Sequence, residues 1–431
     1  MNSMMSRRQA LATLAGGAAV MATAAGCSFK SASASASSTD GDVSYWTQVD
    51  PTNTVQQTAI KTFNASSKGQ VTLSTIASTG YLSKIQTAMG SSAMPGLFFN
   101  WGGGSLSTYV KAGKLVELDS SLKSHFLASP LQAGIVDGKF VGLPCRGTQP
   151  VFIYYNKSLF SQAGVQPPTT FSDLMNLVQV FKKRGVTPFA IAGTSANSWT
   201  ELMWIEYLVD RVGGPGVFSS IAGGDWSGWK DPSILTAAEM VKELVSAGAF
   251  GNNFGSVNYG AGGTSTLFAT GRAAMQLMGS WDYATLETIS AGFTKDNLGY
   301  VPFPSVEGGK GDPKNVSGNP TNYLTMTTAA AKTTATDFLA TVYSDSYVLG
   351  LVKMGEVPVT TNTKSLLSQS TDPAYSNFLY DLVAGAHAFT QSWDQALGST
   401  LATPMLTEIQ KLFNGQDSPQ QFVSNVLAIQ G

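Results

Sequence analysis

Short apolar strands alternate with amphipathic helices along most of this sequence. Val71 to Ile76 has the partial period-two alternation of a strand, and Leu97 to Asn100 is a second apolar strand that follows a helix near Leu82 to Met89. Repeated strand–helix units of this kind favour a mixed or parallel sheet with helices on both faces. The pattern therefore predicts an α/β fold, in which ligands bind beyond the carboxyl ends of the strands.

Several helix ends are marked by local signals. Thr170 to Asp173 forms a capping box before a run of apolar residues at helical spacing. Asp231 and Ser418 each precede a proline, which predicts two more helices with Pro at the first position. Gly185 and Gly248 stand where the first two of these helices should end.

The composition excludes several classes of function. The chain has 431 residues, a charged fraction of 12% and a net charge of -1, so no long-range field attracts nucleic acid. Two cysteines and two histidines are too few for a disulfide framework or a histidine-rich metal centre. We therefore predict no metal, no cofactor and no nucleic-acid partner. The length suits two or three domains or one large one.

The N-terminus has the features of an export signal. Arg7 and Arg8 precede the uncharged run Ala10 to Ala25, which is shorter than the roughly 20 residues of a membrane-spanning helix. The small residues before Cys27 resemble a bacterial lipobox, so we expect residues 1–27 to be a signal peptide and Cys27 to be lipidated. A plain cleaved signal peptide is the alternative, and the export route, general secretory or twin-arginine, stays open.

On the lipobox interpretation, Cys27 anchors the mature chain to the outer face of the cell membrane. Residues 28–42 are rich in Ser and Ala and predict a flexible tether to an extracytoplasmic body. Cys145 then has no partner for a disulfide and is expected to be a buried, small apolar residue.

No familiar catalytic motif occurs in the sequence. Gly-x-Ser-x-Gly, His-Glu-x-x-His, Walker A and Cys-x-x-Cys are all missing. Gly102 to Gly104 is expected to be a tight turn rather than part of a dinucleotide site. We expect His125 to be a solvated surface residue and His387 a packed or surface one. Paired carboxylates, as in glycosidases, stay possible because their distance in space is invisible in the sequence.

Tryptophan recurs at the ends of predicted elements. Trp46, Trp101, Trp281 and Trp393, four of the eight tryptophans, each stand next to polar or small residues. Such positions suit a sugar, whose apolar face stacks on indole while its hydroxyls pair with polar side chains. The alternative for any one of them is core packing. Trp226 and Trp229 are expected in a loop lid or in surface packing.

Seven passages together resemble the lipid-anchored solute-binding proteins of bacterial carbohydrate ABC importers, a group that includes maltose- and oligosaccharide-binding proteins. The passages are Val141–Pro144, Val151–Phe160, Ala163–Phe171, Phe268–Met275, Met278–Trp281, Gly299–Pro304 and Trp393–Leu397. Gly96 and the Cys145-Arg146 pair depart from the pattern of the family.

This resemblance implies a two-lobed periplasmic-binding-protein fold with a hinge that the chain crosses three times. Lobe one would hold residues 43–147 and 297–348, and lobe two residues 148–296 and 349–431. A sugar would bind between the lobes, and the closed protein, a monomer, would dock on the permease subunits of an ABC importer.

The resemblance also implies a set of sugar-binding residues. Trp281 is the foremost stacking platform, Trp199 supplies a second aromatic from lobe two, and Asp394 accepts hydroxyl hydrogen bonds. The remaining candidates are Trp46, Gln48, Trp101, Arg146, Asp282, Asn322 and Trp393.

The sequence thus predicts a non-enzymatic protein that binds a mono- or short oligosaccharide with high affinity outside the cytoplasm and delivers it to an ABC importer. A lipid-anchored secreted glycosidase is the alternative. A structural or adhesive lipoprotein accounts less well for the tryptophans.

Overall fold

The computed structural model describes residues 40–50 and 52–430. The expected signal peptide at 1–27, the lipidation site Cys27 and residues 28–39 of the expected tether lie outside this range. Among the described residues, none of the helices combines the length and the apolar character that a bilayer crossing requires.

The described residues form thirteen strands. They are β1 (Val43–Gln48), β2 (Val71–Ile76), β3 (Leu97–Asn100), β4 (Ile135–Val136), β5 (Lys139–Phe140), β6 (Gly142–Pro144), β7 (Gln149–Asn156), β8 (Thr187–Ala190), β9 (Ala273–Gly279), β10 (Leu298–Val301), β11 (Val316–Asn319), β12 (Tyr323–Met326) and β13 (Phe389–Gln391).

The same residues form nineteen α-helices. They are α1 (Asn53–Asn64), α2 (Ser78–Met89), α3 (Gly104–Lys111), α4 (Ala128–Leu131), α5 (Lys157–Ala163), α6 (Phe171–Lys183), α7 (Trp199–Gly213), α8 (Gly216–Ala222), α9 (Pro232–Ala247), α10 (Thr264–Ala269), α11 (Asp282–Ile289), α12 (Ala291–Asp296), α13 (Lys332–Leu339), α14 (Asp345–Lys353), α15 (Thr363–Leu366), α16 (Pro373–Ala384), α17 (Trp393–Ala396), α18 (Ser399–Phe413) and α19 (Pro419–Leu427).

Lobe one is built on a sheet with the strand order β2-β1-β3-β12-β6. β1 lies parallel to both β2 and β3, whereas β12 is antiparallel to β3 and β6. The strands carry apolar side chains that are buried under helices, among them Tyr45, Phe98, Leu143 and Leu324. The carboxyl ends of the parallel strands β1 and β3 lie at one edge of this sheet, which places the residues that follow them together.

Lobe two is built on a second sheet with the order β13-β11-β7-β9-β8, and β10 also pairs with β7. The long strand β7 is central: it is antiparallel to β9, β10 and β11. Phe152, Ile153 and Leu277 are buried in the core around it. Because most of this sheet is covered on both faces, its strands read as near-continuous apolar runs.

The chain passes between the two sheets three times, after β6, after β11 and between β12 and β13. This topology confirms the predicted α/β fold with a hinge crossed three times. At the hinge, Gly147 and Pro358 form an isolated β-bridge that joins the first and third crossings. Tyr347 of α14 packs in the core of lobe one, while Val348 of the same helix packs in the core of lobe two.

One expected boundary of lobe one does not follow the sheets. Residues 297–348 were expected there, but β10 and β11 both pair with β7 in the sheet of lobe two. The reason is that the edge of β7 opposite β9 is free to accept two antiparallel strands, β10 along residues 153–156 and β11 along 149–150. The return to lobe one therefore comes after Asn319.

The helix signals are confirmed. Thr170 and Asp173 form the capping box of α6, and Ser418 with Gln421 forms that of α19. Asp231 accepts a hydrogen bond from the backbone N–H of Ser233 at the start of α9, and Gly248 ends that helix in the left-handed conformation that favours glycine.

Candidate functional site

A cavity of about 310 Å³ opens on lobe two where β9 and β11 end and α7 begins. We call it the inner cavity. It brings together three of the predicted residues, Trp199, Trp281 and Asp394. The other lining residues are Val151, Met203, Tyr259, Gly318, Asn319, Ser392 and Gln395.

Three half-buried aromatic rings form one wall of the inner cavity. Trp199 is the first residue of α7, and its ring centre lies 6.2 Å from that of Trp281 and 5.0 Å from that of Tyr259. Trp281 directly precedes α11, and its six-membered ring lies over Gly279, where an added Cβ would come within 2.0 Å of the indole. Any larger residue at position 279 would clash with the indole, which explains why glycine stands two residues before Trp281.

Asp282 supports this wall from behind. Its side chain is 0% exposed and accepts hydrogen bonds from the Tyr259 hydroxyl at 3.1 Å, from Ser265 Oγ at 2.7 Å and from Gln276 Nε2 at 3.1 Å. Burial raises the pKa of this carboxyl, although the three hydrogen bonds oppose the rise. Asp282 was expected to contact sugar, but a carboxylate with no exposed surface positions Tyr259 instead.

Three residues that line the inner cavity each carry a buried acceptor oxygen. Asp394 Oδ1, Gln395 Oε1 and Asn319 Oδ1 are buried and have no hydrogen-bond partner among the described residues. The hydroxyls beside them are already committed as donors, that of Tyr259 to Asp282 and that of Ser392 to Glu206. Because an unpaired buried acceptor costs free energy, these three atoms favour a ligand that supplies donors.

Glu206 is a buried residue that supports the segment containing Asp394, and the sequence reasoning missed it. Its Oε1 accepts hydrogen bonds from Ser392 Oγ at 2.8 Å and from the backbone N–H of Trp393 at 2.7 Å, directly beside Asp394. Burial, with a contribution from Asp394, raises the pKa of Glu206 to about 8. Its position seven residues after Trp199 places both on one face of α7, a spacing that could have revealed it.

A second cavity of about 700 Å³ lies against lobe one, and we call it the outer cavity. Trp101, which follows β3, lines it, with its ring edge-on to those of Phe99 at 5.4 Å and Tyr81 at 6.2 Å. Leu82, 53% exposed, lies on the same wall. Asp394 and Gln395 line both cavities, so the two are adjacent.

Contacts between the lobes hold Trp101 close to the segment that contains Asp394. Gln391 Nε2 donates to the carbonyl oxygen of Trp101 at 2.6 Å. A Cβ on Gly103 would come within 2.0 Å of Gln391, and one on Gly104 within 2.0 Å of the Ala396 carbonyl oxygen. The glycine turn thus allows a close approach between the lobes.

Two predicted residues lie near the site without lining either cavity. Trp46 and Gln48 are half-buried at the end of β1. The ammonium of Lys84 lies 5.0 Å from the centre of the Trp46 ring and covers one of its faces. Neither residue is placed against Trp281 or Asp394 in the described structure.

Two other predicted sugar contacts are interior residues. Trp393 is 1% exposed and stacks on Phe218 at 4.5 Å, with the Trp229 ring 5.5 Å away. Asn322 is 3% exposed, and its carbonyl oxygen accepts a hydrogen bond from the backbone N–H of Cys145 at 2.9 Å. Neither side chain lines the inner cavity, and neither lines the outer cavity.

The expected lid or surface tryptophans are also packed inside lobe two. Trp229 is fully buried, and Trp226 is buried beside it with its indole N–H donating to the Val426 carbonyl oxygen. The flanking glycines suggest a loop. The Trp226 ring packs against Trp229, and the Trp229 ring packs against Trp393. Burial of these large aromatic rings stabilises the interior position in spite of the loop-like composition.

Arg146 lies at the hinge rather than in either cavity. It is 7% exposed, its Nε donates to the two Glu356 carboxylate oxygens at 2.9 and 3.0 Å, and its terminal nitrogen lies 3.2 Å from Asp50. Burial opposes the charge, but Glu356 and Asp50 together raise the pKa of Arg146 above its ordinary value. Glu356 also accepts from the backbone N–H of Gly147, so the ion pair ties two hinge crossings together.

The remaining cysteine and the two histidines line neither the inner nor the outer cavity. Cys145 is a buried free thiol, as expected. His125 is exposed and stacks on Tyr343, and His387 is exposed beside Asp312. Within the described part of the chain, no group of three or more His, Cys, Asp or Glu side chains is arranged to hold a metal ion.

A family model for bacterial extracellular solute-binding proteins matches residues 46–348 of the chain. The chain belongs to that family. The match covers the aromatic wall of the inner cavity and Trp101 of the outer cavity, whereas Asp394 and Gln395 lie beyond it.

Solved structures with the same fold cover nearly the whole chain. One comes from work on xylan utilization by the thermophilic bacterium Caldanaerobius polysaccharolyticus, with 25% identity, a TM-score of 0.76, and coverage of 90% of this chain and 99% of the other. A chitin oligosaccharide binding protein has 25% identity and a TM-score of 0.76, and covers 91% and 98%.

The curated relatives match over a shorter length. An uncharacterised ABC transporter extracellular-binding protein of Pyrococcus horikoshii is 26% identical over 206 residues, which are 46% of this chain and 44% of that protein. The chain thus spans less than half the length of this relative.

Proposed function

We propose that this protein binds a sugar between its lobes and delivers it to an ABC importer. The observation that carries the proposal is the inner cavity, where the indoles of Trp199 and Trp281 meet the unpaired acceptor of Asp394. Two relatives with the same fold are described by xylan utilization and by chitin oligosaccharide binding, which supports a saccharide as the ligand class.

The chemistry of the inner cavity suits a pyranose. The C–H face of a sugar ring stacks on Trp281, and the hydroxyls at its edge donate to Asp394 Oδ1 and Asn319 Oδ1. Burial raises the pKa of the Asp394 carboxyl, and its Oδ1 has no partner among the described residues, so Asp394 is the principal polar anchor for a hydroxyl donor. Tyr259, held by Asp282, completes the aromatic wall.

Binding is coupled to closure of the lobes. Trp101 belongs to lobe one, whereas Trp199 and Trp281 belong to lobe two, so a sugar between them favours the conformation in which the lobes are close. The closed conformation is the one that presents both lobe surfaces to a permease. The chain acts as a monomeric carrier on this proposal.

The anchoring proposal concerns Cys27, which we propose carries lipid and holds the body outside the cell membrane. Mass spectrometry of the mature N-terminal peptide tests it. A diacylglyceryl modification on Cys27 is expected, and an unmodified peptide that starts elsewhere would refute the anchor without affecting the sugar site.

Calorimetry on the Trp281→Ala variant tests the binding proposal. A thermal-shift screen first identifies the sugar, because a ligand of the folded state raises the unfolding midpoint. The Trp281→Ala variant should then lose at least about tenfold in affinity, or roughly 1.4 kcal/mol. Tyr343→Ala, which removes a stacked aromatic from the surface of lobe one, should bind like the wild type.

Two results would contradict the proposal. Unchanged affinity of Trp281→Ala would remove the indole from the site. Sustained release of shortened saccharides during incubation with the pure protein would indicate a glycosidase rather than a carrier.

A further inference from the structure

The two cavities meet at a single pair of residues. Asp394 and Gln395 line the inner cavity of about 310 Å³ and also the outer cavity of about 700 Å³. Small-molecule sites in proteins span roughly 300–1,000 Å³, so the inner cavity alone is at the lower end of that range. A ligand that fills only the inner cavity would leave the larger space beside it to water.

Each cavity has its own stacking surface. In the inner cavity the indole of Trp281 is fixed over Gly279 and beside Trp199. In the outer cavity Trp101 is held edge-on by Phe99 and Tyr81, and its carbonyl oxygen by Gln391. Rings that are held in this way lose little conformational entropy when a ligand stacks on them.

The junction between the cavities has unpaired acceptors. Asp394 Oδ1 and Gln395 Oε1 are buried without a hydrogen-bond partner in the described structure, and both residues border both spaces. The hydroxyls that flank a glycosidic linkage are donors on both sides of the linkage, and they would satisfy these acceptors. A single sugar ring in one cavity would reach them from one side only.

The outer cavity offers apolar and polar contacts together. Leu82 and the half-buried indole of Trp101 line it on lobe one, and so do the polar side chains of Gln86, Asn100 and Thr108. A sugar unit in the outer cavity could therefore stack on Trp101 while its hydroxyls meet polar groups.

We propose that the ligand is an oligosaccharide of at least two units, with one unit stacked on Trp281 in the inner cavity and the next crossing Asp394 and Gln395 onto Trp101 in the outer cavity. This inference rests on the proposed function, since it takes the ligand to be a saccharide. It adds the minimum length of the ligand and assigns Trp101 to the second unit alone.

Three homologous sugar series test the proposal by calorimetry. The probes are xylose, xylobiose and xylotriose, then N-acetylglucosamine with its dimer and trimer, then glucose, maltose and maltotriose. For the series that binds, the dimer or trimer should bind the wild type at least tenfold more tightly than the monomer.

Substitutions in each cavity show which sugar unit binds there. Trp101→Ala should lower oligosaccharide affinity at least tenfold and change monosaccharide affinity less than twofold, whereas Trp281→Ala should lower both. Trp46→Ala is the matched control, because Trp46 is a half-buried indole of lobe one that lines neither cavity. Should Trp101→Ala fail to fold, Leu82→Lys replaces an exposed side chain of the outer cavity and should also weaken only the longer sugars.

The outcomes separate the two proposals. Equal affinity for monomer and oligomer, or a loss of monosaccharide affinity in Trp101→Ala as large as that for the oligomer, would overturn the two-unit inference and leave sugar binding intact. No binding at any length in any of the three series would count against the proposed function itself.

Discussion

The ion pair between Arg146 and Glu356 predicts a large stability effect at the hinge. Arg146 is almost fully buried and Glu356 is 18% exposed, and the bidentate contact between them joins the first and third hinge crossings. Removing one partner of a buried pair leaves the other charge without compensation, at about 3–5 kcal/mol. Here Glu356 keeps some solvent contact and Asp50 still faces Arg146, so we expect about 2–4 kcal/mol for Glu356→Ala.

A double-mutant cycle measures the pair directly. Arg146→Ala, Glu356→Ala and the double variant are unfolded in urea and followed by circular dichroism. Because the two side chains contact each other, the losses should not add, and a coupling energy of about 1–3 kcal/mol is expected. Lys364 and Asp381 provide the matched control, an exposed ion pair whose coupling should stay below about 1 kcal/mol.

A coupling energy under about 0.5 kcal/mol for Arg146 and Glu356 would refute the hinge assignment. The original expectation, a sugar contact by Arg146, would then regain support if Arg146→Ala lost sugar affinity while its unfolding curve stayed that of the wild type.

Two further predictions concern lobe two. Burial raises the pKa of Glu201 to about 9, above its ordinary value of 4.5, and both of its carboxyl oxygens lack partners among the described residues. Between these two pH values the folded state keeps a proton on Glu201 that the unfolded state loses. The free energy of unfolding therefore falls as the pH rises from about 4.5 to about 9. The stability of Glu201→Gln relative to the wild type should therefore rise between pH 5 and pH 8, by at most about 1.4 kcal/mol per pH unit. If urea unfolding gives the same difference in free energy between variant and wild type at both pH values, the prediction is wrong. Gly279→Ala should displace the Trp281 indole and lower sugar affinity about tenfold while the fold is retained. A change in affinity of less than twofold by calorimetry would show that the indole takes another position when sugar is bound.

Local signals predicted local structure well. The capping box at Thr170, the helix that Pro419 opens after Ser418 and the strand Val71–Ile76 involve residues close in sequence, so the pattern alone determines them. The sheet membership of β10 could not be predicted in this way, because it depends on which edge of β7 is free after the chain has folded.

Only part of the candidate site was predicted, because the site also depends on contacts between residues that lie far apart in the sequence. Trp199, Trp281 and Asp394 converge on one cavity, but only the resemblance to a family suggested that residues so far apart would meet. Trp393 and Asn322 have the same residue types and polar neighbours as the residues that line the cavities. Only their contacts with Phe218 and Cys145 show that they are interior. Glu206 was missed because its partners, residues 392–393, lie far away in the sequence.

A crystal structure of the protein with the oligosaccharide that binds most tightly tests the central claim most directly. One sugar ring should stack on Trp281 with its carbons within about 4.5 Å of the indole, and one of its hydroxyls should lie within about 3 Å of Asp394 Oδ1. A saccharide bound elsewhere, with the inner cavity filled only by water, would contradict the account.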